Sequence, residues 1–270
     1  MTATDKEFTG SIPELYDRSL VPLIFQPYAD DLAERVRKLN PRDLLETAAG
    51  TGAVTRAIAA LLPGSARMVI TDLNDAMLDY ARSTIGQETR IDWKQADALA
   101  LPFSDQTFDV VICQFGVMFF PDKVQGFREA RRVLRSSGTY LFSVWDSLSD
   151  NEFADVVTSS LAEMFPQDPP QFLARTPHGH HDAEEIRQGL LAAGFSHVEF
   201  ETLEHVSRCA SPREPAVAYC QGTPLRNEII ARDPSCLEAA TQHATAALAR
   251  RFGPGPIEGR IRAIVFTAKS

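Results

Sequence analysis

From Asp43 onward the chain predicts a doubly wound α/β sheet, and three observations carry that prediction. Asp43 to Gly52 reads as a short apolar strand and a glycine turn, with a helix starting at Ala53. A second strand, Arg67 to Thr71, then ends in Asp72, an acid about 20 residues beyond the turn. Strand and helix patterns go on alternating as far as Trp145, as a mostly parallel sheet requires. Strand, glycine turn, helix, strand and acid together form the layout of a Rossmann-like nucleoside site. The glycines let the backbone approach a ligand, and the acid can accept hydrogen bonds from both ribose hydroxyls. The pattern points to a cofactor containing adenosine.

Each element has its own signal. Before Leu39 the chain reads as helical pieces punctuated by Pro13, Pro22 and Pro27, with the clearest helix from Asp30 to Leu39. The helix after the glycine turn places Val54, Ala57, Ile58 and Leu61 on one face and stops at Pro63-Gly64. The next starts near Asp75, buries Met77, Leu78, Ala81 and Ile85, and stops at Gly86. Ile91 to Gln95 alternates as a third strand. Phe108 to Cys113 is continuously apolar, as a strand covered on both faces should be. A helix from Asp122 to Leu134 precedes a fifth strand, Thr139 to Trp145.

Beyond Asp146 the alternation loosens. Asn151 to Phe165 reads as a helix and Pro166 to His181 as a proline- and histidine-rich loop. Asp182 and Glu185 have capping-box spacing for a helix that Gly194 closes. His197 to Val206 and Arg262 to Ala268 supply strands six and seven, the last running antiparallel. Ser207 to Ile261 between them is too long for a plain connection and is expected to serve function. The expected organisation is an N-terminal helical segment (1–40), a cofactor-binding core (41–146) and the rest of the sheet (147–270) with helical cap insertions at 147–181 and 207–261.

The 270 residues carry a formal net charge of −9, which repels nucleic-acid phosphates. Arg128, Arg131, Arg132 and Arg135 read as one solvated helix face. No apolar run reaches the roughly 20 residues of a membrane span, and the first residues lack the pattern of a signal peptide. Four cysteines without a C-x-x-C pair argue against zinc and disulfides and for a reducing, cytoplasmic setting. His178-Gly179-His180-His181 has no acidic or cysteine ligands at matching spacing, so no metal is expected.

Five segments in order resemble the class I S-adenosylmethionine-dependent methyltransferases, and within them the ubiquinone/menaquinone branch that acts on small molecules. They are the glycine turn from Glu46, Thr71 to Leu78, Gln95 to Phe103, Phe108 to Gly116, and Ala130 to Gly138. The resemblance implies S-adenosylmethionine as cofactor. It also implies that Gly50 and Gly52 shape the turn under the methionine part, and that Glu46 organises its amino group. Asp72 would hold the ribose, Leu73 and Met77 would pack on adenine, and Asp97 and the Ala98 backbone would meet the ring edge. The Gln114 carbonyl would face the amino group, and Tyr16 would close over the site. Ala48 replaces the first glycine of the family's turn, a small change if its φ is negative. Phe115, Phe119 and Phe120 are candidates either for aromatic contact with a sulfonium or for core packing.

Methyl transfer by in-line displacement needs positioning above all. A general base is optional, with His178 and His180 as the candidates. A small, partly apolar acceptor is expected under the two insertions. A nicotinamide-dependent oxidoreductase is the competing reading, but Thr55 stands at its third glycine. A cofactor-binding protein without catalysis is another. The acceptor, the methylated atom and the oligomeric state are not legible.

Overall fold

The computed structural model describes Asp5 and residues 12–270. Seven strands form one sheet in the order β3-β2-β1-β4-β5-β7-β6. They are β1 (Asp43–Glu46), β2 (Arg67–Asp72), β3 (Ile91–Gln95), β4 (Phe108–Gln114), β5 (Leu134–Trp145), β6 (His197–Cys209) and β7 (Ile257–Lys269). β1 pairs in parallel with both β2 and β4. The order therefore reverses beside β1, and the crevice at such a switch point is where ligands enter doubly wound sheets. β7 pairs antiparallel with β5, Thr139 facing Lys269 and Trp145 facing Ala263.

The helices in chain order are α1 (Ile12–Leu15), a π-helical segment (Tyr16–Phe25), α2 (Gln26–Leu39), α3 (Ala53–Leu61), α4 (Asp75–Ile85), α5 (Lys123–Val133), α6 (Glu152–Met164), α7 (Phe172–Arg175), α8 (Ala183–Ala192), α9 (Arg213–Gly222), α10 (Leu225–Arg232) and α11 (Leu237–Phe252). The N-terminal pieces expected from the prolines are joined into one helical run. Pro27 falls at the junction of the π-helical segment and α2, and Pro22 sits in the wider π turns.

The chain divides into two compact units. The sheet unit comprises Gln26–Trp145, His181–Leu203 and Ala263–Ser270. On one face of its sheet Leu32 and Val36 of α2 and Val54 and Ile58 of α3 share a core with Leu44, Met68, Ile70, Val110, Ile112 and Leu141. Elsewhere in this unit Tyr140, Phe142 and Phe266 stack in series at 4.9 and 4.8 Å, and Phe127 of α5 meets Phe142 at 5.6 Å. Of the two helix faces expected to be buried, Val54, Ile58, Met77, Leu78 and Ala81 are buried, Ala57 and Ile85 are half-buried, and Leu61 is exposed. β5 begins at Leu134 rather than Thr139, with an irregularity between the two pairings. α5 consequently ends before Arg135.

The helical unit comprises Met1–Phe25, Asp146–His180 and Glu204–Arg262, and holds the predicted insertions apart from His181. Phe153 of α6 packs edge-on against Phe252 of α11 at 5.2 Å. A Cβ on Gly259 would strike the Phe153 ring at 2.7 Å, so this approach requires glycine. Asp5 accepts from Thr176 at 2.8 Å and pairs with Arg175 at 2.6 Å at the end of α7. The basic face expected on α5 is not simply solvated. Arg132 bonds Glu129, Asp105 and the carbonyls of Leu101 and Phe103, while Arg135 pairs with Asp43 and Asp109. Among the described residues, no helix is long and apolar enough to cross a membrane.

Candidate functional site

β1 ends in Glu46, whose carboxylate is 1% exposed because β1 lies between β2 and β4 under α3. Thr55, one turn into α3, donates its hydroxyl to Glu46 Oε2 at 2.7 Å. The turn that follows takes left-handed φ at Ala48 (+53°), Gly50 (+57°) and Gly52 (+80°). Here the structure corrects an expectation: Ala48 has positive φ, where a Cβ is disfavoured by about 1–2 kcal/mol. What holds it there is the stitching of neighbouring strand ends. Thr47 N donates to Ile112 O at 2.9 Å, Ala49 N to Thr71 O at 3.0 Å, and the Thr71 hydroxyl to Glu46 O at 2.9 Å.

Asp72, at the tip of β2, is 6% exposed. Its Oδ2 accepts from Gly50 N at 2.8 Å and its Oδ1 from Asn74 N at 2.8 Å. The Asn74 side chain and the Leu73 amide also lean on this carboxylate. Asp72 O accepts from Ala96 N at 3.0 Å, and Gln95 Nε2 donates to Leu73 O at 2.9 Å, which ties in the tip of β3. Leu73 is 42% exposed while Met77 is buried. Asp97 is exposed and accepts from Leu99 N at 2.9 Å in a local turn; Ala98 is half-buried. Gln114 closes β4, and Phe115 beyond it also has φ +53°. Phe115 stacks on Trp145 at 3.9 Å with Tyr28 edge-on to both, so its role in the fold is packing. Phe120 is buried too.

Burial pushes the Glu46 carboxyl up to about 8, with the Thr55 hydroxyl opposing, Asp72 adding to the rise and Arg56 opposing it. Burial raises Asp72 as well, against the pull of the Asn74 and Gly50 amides. The Cys113 thiol beneath them is pushed up to about 12 by burial and is inert.

The structure thus brings Glu46, Ala48, Gly50, Gly52, Asp72, Leu73, Gln95 and Ala96 into one hydrogen-bonded rim. Tyr16, stacked on Phe25 at 5.0 Å, and His178 and His180 belong to the helical unit. Four residues of the rim escaped sequence reasoning. The Thr51 hydroxyl, in a residue 1% exposed, is buried with no hydrogen-bond partner among the described residues. Thr55 was weighed only as a missing glycine. Arg56 donates to Thr51 O at 2.8 Å. A Cβ on Gly116 would overlap the Ala48 methyl and meet the Cys113 sulfur at 2.7 Å, so Gly116 is the glycine that Ala48 demands. Only the spacing of Thr55 from Glu46, through strand, turn and first helical turn, offered a sequence signal.

Residues 19–210 match the model of the ubiE/COQ5 methyltransferase family, most of the chain including this rim. The chain belongs to that family. It is an S-adenosylmethionine-dependent methyltransferase acting on a small-molecule acceptor, and the nicotinamide reading falls. Among its relatives is the ubiquinone/menaquinone biosynthesis C-methyltransferase UbiE of Idiomarina loihiensis, 31% identical over 172 residues that span 59% of this chain and 68% of the relative. The UbiE of Pasteurella multocida is 32% identical, over 59% and 64%. Solved structures show the shared fold. Phosphoethanolamine N-methyltransferase 2 of Haemonchus contortus superposes with a TM-score of 0.62 at 15% identity, covering 100% of this chain and 61% of that one. The [4+2]-cyclase SpnF superposes at 0.53 and 18% identity, over 91% and 83%, so the fold by itself does not dictate the reaction.

Proposed function

We propose that the rim at the tips of β1, β2 and β3, continued by Gln114 of β4, holds the methyl donor. Glu46 organises the amino group, opposite the Gln114 carbonyl, and the Gly50–Gly52 backbone lies under the methionine part. Asp72 takes the ribose hydroxyls. Exposed Leu73 packs on adenine with Met77 behind it, and Asp97 with the Ala98 backbone meets the ring edge. The residues fit this donor. The three loops carry carboxylates and glycines without a lysine, and a buried Thr51 hydroxyl lacks a partner among the described residues. The observation that carries the reading is that Glu46 and Asp72 are both buried with hydroxyl and amide partners only, an arrangement suited to a cationic, hydroxyl-rich ligand.

When bound, the donor supplies an activated methyl group for in-line displacement. The chain's part is to fix that group and exclude water. The relatives named above methylate carbon in quinone biosynthesis, and carbon methylation of a small, partly apolar acceptor is the reading they support here. Of the two candidate bases, His178 has its tautomer fixed. It is buried, and its Nδ1 lies 2.9 Å from the Asp146 carbonyl. A carbonyl can only accept, so Nδ1 carries the proton. The test is calorimetric titration of S-adenosylmethionine into the wild-type chain and the Asp72→Ala variant. Equal affinities would remove the ribose contact from the proposal. A His178→Gln variant that keeps full kcat across pH would remove the base.

A further inference from the structure

Of the two buried acids at the strand tips, Asp72 has amide donors and Glu46 has none. Among the described residues the Glu46 carboxyl has a single donor, the Thr55 hydroxyl on Oε2, which leaves Oε1 without one. The nearest backbone amides are used elsewhere: Thr47 N goes to Ile112 O and Ala49 N to Thr71 O. The titratable groups around the carboxyl do not offset its burial. From β2, Asp72 adds a like charge, and from β4 the Cys113 thiol lies within its field. From α3, Arg56 is the weakest influence on it and donates to Thr51 O at 2.8 Å. α2 and α4 turn apolar residues to this core, Leu32 and Leu78 among them. A carboxyl out of water, with one neutral donor and an acid nearby, keeps its proton. Burial accordingly holds it at about 8.

The donor's amino group is an α-ammonium with an ordinary value of about 7.7–8.0. Below pH about 7, therefore, Glu46 and the ammonium each carry a proton before they meet. An ammonium brought to Oε1 supplies the positive charge and the donor that this carboxyl lacks, and so favours its ionised form. The O–H bond breaks, its electron pair stays on the carboxylate, and the proton passes to the buffer. We propose that donor binding expels a proton from Glu46, with Thr55 as the positioning residue that engages Oε2 and keeps Oε1 for the donor's ammonium. This rests on Glu46 being the contact of the amino group. Because the proton is held before binding and lost on binding, affinity rises with pH, by up to about tenfold per unit. The rise levels off near pH 8, where Glu46 is already ionised and the ligand's ammonium begins to lose its own proton.

The test is calorimetric titration of S-adenosylmethionine into the full chain at pH about 6.5, repeated in buffers of different ionisation enthalpy. The slope of observed enthalpy against buffer enthalpy counts the protons released, and about one is expected. Burial raises Asp72 too, so the source is checked with Glu46→Gln. That variant releases no proton, shows flat affinity between pH about 5.5 and 7, and binds more weakly than wild type at pH about 8. Thr55→Val lowers affinity about tenfold and carries the rising limb to higher pH, and Thr55→Ser restores both. Wild type that releases no proton while Glu46→Gln still binds weakly removes the proposal and leaves the amino-group contact standing. Proton release undiminished in Glu46→Gln also overturns it. Glu46→Gln that matches wild type at pH about 8 removes the contact itself. A Thr55→Val pH profile identical to wild type removes the positioning role.

Discussion

The two ends of the central strands use the same residue types in opposite ways. At the amino ends Arg135 meets Asp43 at 2.8 Å and Asp109 at 2.5 Å, and Arg67 reaches Asp43 at 3.0 Å. Asp109 also accepts the amides of Arg42 and Asp43 at 2.9 and 3.0 Å. Burial works to raise Asp109, yet the Asp43 amide, Arg135 and the Arg42 amide outweigh it and hold the carboxyl below its ordinary value. At the carboxyl ends Glu46 and Asp72 are more deeply buried, their partners are a hydroxyl and amides, and both are raised. Satisfied charge at one end serves the fold. Carboxyls left without a cationic partner at the other end are held ready for a ligand, and the fold bears their cost.

That contrast can be broken, and the largest effect is expected at Asp72. Asp72→Ala removes two charge-assisted contacts of about 1.5–3 kcal/mol each. S-adenosylmethionine affinity falls by one to three orders of magnitude on that basis, read by calorimetry; an unchanged affinity dissolves the contrast. At the other end Asp109→Ala leaves two amides and Arg135 without their acceptor. It lowers unfolding free energy by about 2–3 kcal/mol in urea titration while donor affinity stays within about twofold.

Glu46 sharpens the comparison through pH. Its folded value, about 8, lies above the unfolded carboxylate value of about 4.3. The folded state therefore binds the extra proton, and stability falls as pH rises between those values. Glu46→Gln abolishes this slope. It is more stable than wild type at pH 8.5 by at least about 1 kcal/mol and no more stable near pH 4; melting curves across pH decide it. The smallest effect is at Ala48. Ala48→Gly relieves the left-handed Cβ but loosens the unfolded chain, for a net gain of about 0.5 kcal/mol. A loss of stability would show that the methyl's contact with Gly116 outweighs the strain.

Much of the rim was legible because its chemistry is local. Glu46, Gly50, Gly52 and Asp72 sit where a strand becomes a turn, and a period-2 pattern ending in glycine or acid marks such places. Asp97 was legible as a turn acid, but the structure shows it exposed and satisfied by Leu99. Thr55, Arg56 and Gly116 were not legible as parts of the rim. Their roles come from α3 lying over β1 and from the loop after β4 lying against Ala48, contacts between segments far apart in sequence. The positive φ of Ala48 was missed for a related reason. It is imposed by bonds from Ile112 and Thr71 to the residues beside it, and no local propensity reports that.

By itself the sequence determined the class of sheet, the periodic faces that bury each helix, the family and the kind of cofactor, because these follow from patterns within one or two elements. Only the tertiary structure decided which charges are satisfied. It placed Arg135 on the far strand ends rather than on a solvated helix, and sank Glu46 until its proton is held tightly. Burial and pairing are properties of neighbours, and neighbours are chosen by the fold.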